Sequence, residues 1–171
     1  KKISASELEF TLSKKNIIFD KRVHNPTVKV KDSYGNILKE NEDYYCVYIS
    51  GSGRQTGKYQ IDVNMIGEYE GQKTLYYFIR PKAPRITGVS VCEDGLVVAW
   101  GEADLQKNGW IDGYEVQYST SCKFDSPQTI TIKDRKSCSE TIKDLREGEK
   151  YYVRVRALTF VGDGDGYIRS G

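Results

Sequence analysis

The stretch TIKDLREGEKYYVRVRA, residues 141–157, decides the fold of this chain. In its second part, Tyr151, Val153, Val155 and Ala157 alternate with residues that are mostly charged. Because side chains in a β-strand point alternately to opposite faces, this period of two predicts a strand with one buried face. The Arg-Glu-Gly-Glu sequence just before it predicts a turn. The stretch is therefore expected to be a turn followed by a half-buried strand.

The same alternation recurs upstream, which indicates further strands of the same β-sandwich. The expected inward residues are Leu96, Val98 and Trp100 on one strand and Tyr114, Val116 and Tyr118 on the next. Glu115 and Gln117 would then face outward beside Arg154 and Arg156, as a solvated ladder of opposite charges. Short strands separated by turns roughly every 8–12 residues are typical of antiparallel sandwiches.

Residues 81–171 resemble a fibronectin type III domain. The matching stretches are PKAPRITGVSV, LVVAW ending at Trp100, IDGYEVQYS at 111–119, and the opening stretch. The resemblance implies that Trp100 is the core tryptophan. It also implies that Leu145 and Tyr151 form the tyrosine corner, in which the phenol hydroxyl ties a crossover loop to the backbone. The final strand, which begins near Tyr167, is expected either to be cut short at Gly171 or to continue in a longer chain.

The domain boundary is predicted at the sequence IRPKAPR, residues 79–85. Its two prolines lack a backbone N–H group and hold the chain extended, so they interrupt strand pairing. This division gives two domains, residues 1–80 and 81–171.

Residues 3–80 show their own alternation and resemble the bacterial immunoglobulin-like domains of clostridial and other Gram-positive surface proteins. The matching stretches are PTVKVKDSYGNILKENEDYYCVY at 26–48, GKYQIDV at 57–63, GEYEG at 67–71 and KTLYYFI at 73–79. The predicted fold class is therefore all-β, with two tandem antiparallel β-sandwiches, immunoglobulin-like and then fibronectin type III.

Composition excludes several classes of protein. With 26 basic and 24 acidic residues, the chain of 171 residues has a net charge of only +2. This balance lacks the basic footprint of a nucleic-acid binder, so no nucleic-acid partner is expected. No stretch approaches the roughly 18 apolar residues needed to cross a bilayer, so no direct membrane insertion is expected. The single His and four Cys without a Cys-x-x-Cys spacing predict neither a structural metal nor a cofactor.

The sequence predicts no enzyme. His24 is the one histidine and lies at the entry to a strand, and no nucleophile elbow or phosphate loop is present. Asp163 and Asp165 are weak calcium candidates in a Gly/Asp-rich segment, which is better explained as a hairpin turn. Cys46 is expected to be a buried free thiol, while disulfide bonding of the other cysteines stays open.

The candidate binding residues are exposed apolar side chains. Strand parity predicts that Tyr45, Val47, Ile49, Tyr76 and Phe78 point outward from the first domain, and Trp110 is a separate exposed aromatic. A contiguous patch of this kind marks a partner, a neighbouring domain or a carbohydrate platform. The alternative is that a loop or the second domain covers it.

These resemblances imply a non-catalytic tandem module of a bacterial cell-surface or secreted protein, which acts as a spacer, as a presentation unit or in adhesion. Its expected partners are an unknown protein or glycan at the cell surface and the neighbouring domains of a longer chain. The alternative is an accessory carbohydrate-binding module of a secreted glycan-degrading enzyme. In both cases the expected localisation is extracellular.

Overall fold

The computed structural model describes residues 1–49 and 51–171, and it confirms the all-β prediction with sandwich-type sheets. The chain divides into two compact units. The first unit contains Lys1–Ile17 and Lys21–Ile79, and the second contains Ile18–Asp20 and Arg80–Gly171. The boundary after residue 80 and the immunoglobulin-like identity of the first half stay predictions.

The strands of the first 80 residues form two main sheets. They are β1 (Ile3–Ser4), β2 (Glu9–Leu12), β3 (Asn16–Ile18), β4 (Val28–Lys31), β5 (Tyr44–Tyr48), β6 (Gly57–Met65), β7 (Tyr69–Glu70) and β8 (Gln72–Arg80). The larger sheet has the order β3-β8-β6-β5, and the smaller pairs β2 with β4. β1 pairs with β7 in parallel.

Buried aliphatic and aromatic side chains form the core of the first unit. The fully buried ones include Val30, Ile61, Val63, Tyr77 and Ile79.

Three tyrosines attach the segment His24–Val28 to the first unit through their hydroxyl groups. Tyr77 donates to the carbonyl oxygen of His24 at 3.0 Å, and Tyr48 donates to that of Pro26 at 2.7 Å. Tyr44 donates to the carbonyl oxygen of Val28 at 3.0 Å. Each of these hydrogen bonds gives a tyrosine hydroxyl a polar partner within a largely apolar environment. We call this set the tyrosine clamp.

Two sheets form the second unit. Its elements are β9 (Ile86–Cys92), β10 (Gly95–Trp100), α1 (Leu105–Asn108), β11 (Gly113–Ser119), β12 (Gln128–Ile132), β13 (Ser139–Lys143), β14 (Tyr152–Phe160) and β15 (Tyr167–Arg169). One sheet has the order β13-β10-β9 and the other β12-β11-β14-β15. The core between them contains predicted inward residues, with Val98, Trp100, Tyr114, Val116 and Val155 all buried, together with Ile111 and Ile142.

The turn between β9 and β10 differs from the sequence-based expectation. The residues Glu93-Asp94-Gly95 are of types that tolerate a positive φ and so predict a turn of that kind, but none of the three adopts one. Gly95 is instead required by close packing, because a Cβ atom there would collide with the carbonyl oxygen of Ile142 on the neighbouring strand. Gly148, in the turn before β14, does have the expected positive φ, at 78°.

Candidate functional site

The predicted outward residues of the first unit lie on the outer face of its four-stranded sheet. Tyr45, Val47, Ile49 and Tyr76 are exposed by 42, 40, 52 and 39%, whereas Phe78 is half-buried.

A polar row on β6 separates these residues into two groups. Val47 lies opposite Asp62, and Tyr76 lies opposite Gln60, so the apolar residues of β5 and β8 are on opposite sides of β6. Asp62 accepts hydrogen bonds from the side chain of Gln60 and from the hydroxyl of Thr74, each at 2.9 Å. The outer face therefore presents two smaller apolar groups with a hydrogen-bonded polar row between them.

Trp110 is 39% exposed, and the structure holds it in place within the second unit. Its indole N–H donates to Oδ1 of Asp112 at 2.7 Å, and the guanidinium group of Arg135 lies 5.1 Å from the ring centroid. The hydroxyl of Thr159 donates to the backbone oxygen of Trp110 at 2.6 Å. These contacts fix the loop before β11 against the end of β14.

Asp163 and Asp165 lie in the exposed turn between β14 and β15. The turn is closed by backbone hydrogen bonds, including one of 2.8 Å from the N–H of Gly166 to the oxygen of Gly162. Within residues 1–49 and 51–171, no group of three or more His, Cys, Asp or Glu side chains could hold a metal ion. Elsewhere, His24 forms an isolated backbone bridge with Gly53.

All four cysteines are free thiols. Cys46 is half-buried on the inner side of β5, and Cys122 and Cys138 are exposed. Burial raises the pKa of the Cys46 thiol to about 11, with smaller contributions from the charge of Glu40 and a hydrogen bond to it. The Cys46 thiol is therefore protonated at neutral pH, which makes it a poor nucleophile.

The three structural residues singled out in the second unit occupy its core and one corner. Trp100 is 2% exposed, and its indole N–H donates to the backbone oxygen of Ser137 at 2.9 Å. Leu145 packs against the core cluster. The Tyr151 hydroxyl accepts a hydrogen bond of 3.0 Å from the backbone N–H of Arg146, and so ties the loop before β14 to the start of that strand.

Charged side chains cover the outer face of β11, β14 and β15. The pairing places Glu115 opposite Arg156 and Gln117 opposite Arg154. Nε of Arg169, from β15, lies 2.9 Å from Oε2 of Glu115, and Nη1 of Arg156 lies 3.9 Å from its Oε1. We call Arg154, Arg156 and Arg169, together with Glu115, the arginine face.

The prediction of a solvated charge ladder here is wrong. Glu115 is only 3% exposed and Gln117 only 8%, because the long arginine side chains lie across them. Arg154 donates to the Gln117 side chain at 2.7 Å and stacks on the ring of Phe124, with its guanidinium carbon 4.3 Å from the centroid. Burial and the neighbouring charge of Arg156 lower the pKa of Arg154.

The arginine face carries an excess of positive charge. Three guanidinium groups against one carboxylate leave two positive charges, and the side chains of Arg169 and Arg156 remain 50 and 27% exposed. Guanidinium groups bind carboxylates through paired hydrogen bonds, so this surface is suited to an acidic partner. Oε1 of Glu115 is buried without a hydrogen-bond donor.

Sequence reasoning identified Glu115 and its neighbours on β14 but missed Arg169. The position of Arg169 depends on the turn at 161–166, which sets the register of β15 against Leu158–Phe160. The Gly-Asp-Gly-Asp-Gly sequence was the available signal, since a hairpin there returns the following residues to the edge of β14.

Comparisons with known proteins identify the family of the second half of the chain. A family model described as the fibronectin type III domain matches residues 81–167, just over half of the chain. Protein sidekick from Drosophila melanogaster is 36% identical over 70 residues, which are 40% of this chain and 3% of that protein. Receptor-type tyrosine-protein phosphatase S from Gallus gallus is 32% identical over 111 residues, which are 60% of this chain and 7% of that protein.

The chain thus spans only a small part of the curated relatives that it matches. Among solved structures, a two fibronectin type III domain segment from chicken tenascin is 20% identical. That match covers 90% of this chain and 94% of the tenascin segment, with a TM-score of 0.44. No helix in the described part of the chain is long and apolar enough to cross a membrane.

Proposed function

The chain belongs to the fibronectin type III family through residues 81–167, and from that membership we propose a non-catalytic module of an extracellular protein, either secreted or held at the cell surface. Many cell-surface domains use this sandwich architecture to space or present other domains and to bind partners. We assign an adhesion role that depends on protein partners, together with a role as a spacer between neighbouring domains.

The observation that carries the adhesion role is the arginine face. Its arginines are held by specific contacts, with Arg169 bonded to Glu115 and Arg154 bonded to Gln117. Guanidinium groups that are ordered before binding lose less side-chain entropy when a partner arrives. The surplus of positive charge favours a protein partner with exposed Asp or Glu side chains.

For the first half of the chain, we propose an immunoglobulin-like domain of the type found in bacterial surface proteins. Its support is the pattern of residues 26–48 and 57–79, together with a sandwich built from a four-stranded and a two-stranded sheet. The two curated relatives reported above come from animals, and their matches cover 40% and 60% of this chain. The bacterial origin is thus a proposal that rests on the sequence pattern.

No observation favours the alternative of a carbohydrate-binding module. Stacking on a sugar needs an open aromatic face, but the ammonium group of Lys58 lies 4.0 Å from the centroid of the Tyr76 ring. Arg135 similarly lies over the ring of Trp110. Both aromatic rings already have a cation at one face.

An attachment assay tests the proposed role and separates it from the alternative. Cultured animal cells are added to a surface coated with the purified chain, after treatment with either a protease or a mixture of glycosidases. We expect attachment that is lost after protease treatment, is retained after glycosidase treatment and weakens as salt is raised. Arg154→Ser should reduce attachment, whereas Lys58→Ser, in the first unit, should not. Attachment lost only after glycosidase treatment would contradict the protein-partner role, and no attachment at all would contradict adhesion.

A further inference from the structure

An aromatic pair lies beside the arginine face on the outer side of the second unit. Phe160 of β14 and Tyr167 of β15 are opposite each other in the strand register. Their rings meet edge to face, with the centroids 5.5 Å apart and an angle of 61° between the ring planes. Phe160 is nevertheless 46% exposed, and Tyr167 is half-buried. The pair is therefore ordered by its own contact and still presents apolar surface to a partner.

The strand register places this aromatic pair and the arginines on the same face. β14 alternates core residues with outward ones, since Val155 and Ala157 belong to the core cluster. The outer face consequently carries three successive rows, which are Phe160 with Tyr167, Leu158 with Arg169, and Arg156 with Glu115. Successive rows are about 7 Å apart, because a strand rises roughly 3.4 Å per residue.

The middle row gives the arginines an apolar floor. Leu158 is only 2% exposed, although its side chain is on the outer face, and the residue opposite it on β11 is Gly113, which has no side chain. Nε of Arg169 lies 2.9 Å from Oε2 of Glu115 on β11, so the aliphatic part of Arg169 crosses β14 next to Leu158. An apolar floor lowers the local dielectric constant and strengthens the attraction between the guanidinium groups and an incoming carboxylate.

Charge and spacing together define what fits this face. The surplus of two positive charges on the arginine face would be neutralised by two carboxylates. The aromatic pair adds an apolar contact that a purely acidic ligand would not use. In an extended segment, side chains two residues apart point to the same side and are spaced about 7 Å from each other. An apolar residue followed by acidic residues two and four positions later therefore matches the three rows.

We propose that the arginine face and the aromatic pair together bind an extended segment of a partner protein with this apolar-x-acidic-x-acidic pattern. The apolar side chain packs on Phe160 and Tyr167, and the two carboxylates bind the guanidinium groups of Arg169 and Arg156. The charges supply attraction, and the apolar contact distinguishes this segment from any other acidic one. This inference rests on the proposed interaction role and names the chemistry of the partner at that surface.

A double-mutant cycle tests the proposal. Two peptides with capped ends, Ser-Leu-Ser-Glu-Ser-Glu-Ser and the same peptide with Ala in place of Leu, are titrated into the purified chain. The dissociation constants are measured from the amide NMR shifts of β14 and β15. We expect the Leu peptide to bind the unmodified chain at least about fivefold more tightly than the Ala peptide does. Phe160→Ser should bind the two peptides equally, because their difference depends on contact with the aromatic pair.

Three outcomes of this cycle would overturn the proposal. They are equal binding of the two peptides to the unmodified chain, a preference for Leu that persists in Phe160→Ser, and no binding of either peptide. Val91→Ser is the matched control, because it removes an apolar side chain that is 85% exposed on the other sheet, and it should retain the preference for Leu.

A charge variant provides a second measurement. Arg156→Gln leaves the hydrogen bond between Arg169 and Glu115 in place and should weaken the binding of both peptides by at least about fivefold. Arg146→Gln, at an exposed position before β14, should bind both peptides normally. Unchanged binding by Arg156→Gln would overturn the proposal. If the Ala peptide bound as tightly as the Leu peptide and Arg156→Gln weakened both, this inference would fail, while the proposed attachment through the arginine face would stand.

Discussion

The outer faces of the two four-stranded sheets have similar alternating sequences but different structures. On the first unit, the middle strand β6 presents a half-buried polar row, and apolar residues of β5 and β8 remain exposed on both sides of it. On the second unit, the polar residues Glu115 and Gln117 of β11 are buried beneath arginines. A period of two therefore establishes which face a side chain occupies but not how exposed it is. Exposure depends on the length and charge of its cross-strand neighbours.

The largest expected effect comes from removing the core aromatic beneath the second of these faces. Trp100→Ala should destabilise the second unit by roughly 3–5 kcal/mol, because it leaves a large cavity and an unpaired backbone oxygen at Ser137. Trp110→Ala is the matched control and should cost less than Trp100→Ala, since Trp110 is partly exposed. Thermal unfolding, monitored through amide exchange in β11 and β14, measures the loss of stability in both variants. Similar losses for the two variants would show that Trp100 does not support the core.

An intermediate effect is expected from neutralising the buried carboxylate. Glu115→Gln should cost about 1–3 kcal/mol, because it removes a charge-assisted hydrogen bond to Arg169 and leaves two arginines without their counter-charge. Asp62→Asn, in the polar row of β6, should cost about 1 kcal/mol or less, because the asparagine oxygen can still accept from both uncharged donors. Urea unfolding gives the two values. If Asp62→Asn were as costly as Glu115→Gln, the contrast between the two faces would be wrong.

The smallest expected effect is a loss of stability at alkaline pH, which should be larger for the first unit than for the second. Burial is the main cause that raises the pKa of Tyr44, Tyr48 and Tyr77 above the ordinary value near 10. Each of these tyrosines has a higher pKa in the folded unit than in the unfolded chain. At a pH between the two values, the unfolded chain has therefore lost protons that the folded unit retains. The stability from these groups is therefore complete below about pH 10 and is lost as the pH rises above it.

Both tryptophans lie in the second unit, so their fluorescence reports on that unit while circular dichroism reports on both. Above about pH 10, the circular dichroism transition should move to lower temperature more than the fluorescence transition does. Tyr77→Phe should cost about 1 kcal/mol at neutral pH and weaken this dependence, whereas Tyr34→Phe, at an 89% exposed position, should change neither. Parallel shifts of the two signals would contradict the prediction.

Much of the second unit could be predicted from the sequence because its signals are local. The alternation around Trp100, Tyr114 and Val155 correctly assigned the inward face of each strand. The pairing of Glu115 with Arg156 was also foreseen as a neighbour relation. The burial of Glu115 was not, because it depends on Arg169, which a hairpin brings from 54 residues away.

In the first unit, strand parity placed Tyr45 and Tyr76 outward, and both are exposed in the structure. The polar row between the exposed groups follows from the order of the strands in the sheet, and a local pattern contains no information on that order. The tyrosine clamp was missed for a similar reason. The hydroxyl of Tyr77 reaches a carbonyl 53 residues earlier, so its partner appears only when the sheet is assembled.

The spacing of the tyrosine clamp has a consequence for misfolding. Its three acceptors are the carbonyl oxygens of residues 24, 26 and 28, which are two residues apart in an extended segment. Neighbouring carbonyls in such a segment point in opposite directions, so a slip by one residue would turn all three acceptors away from the hydroxyls together. The three hydroxyls would then lose their acceptors at once, so slipped pairings are disfavoured collectively. The tyrosine clamp thus selects one register of this segment, in addition to stabilising it.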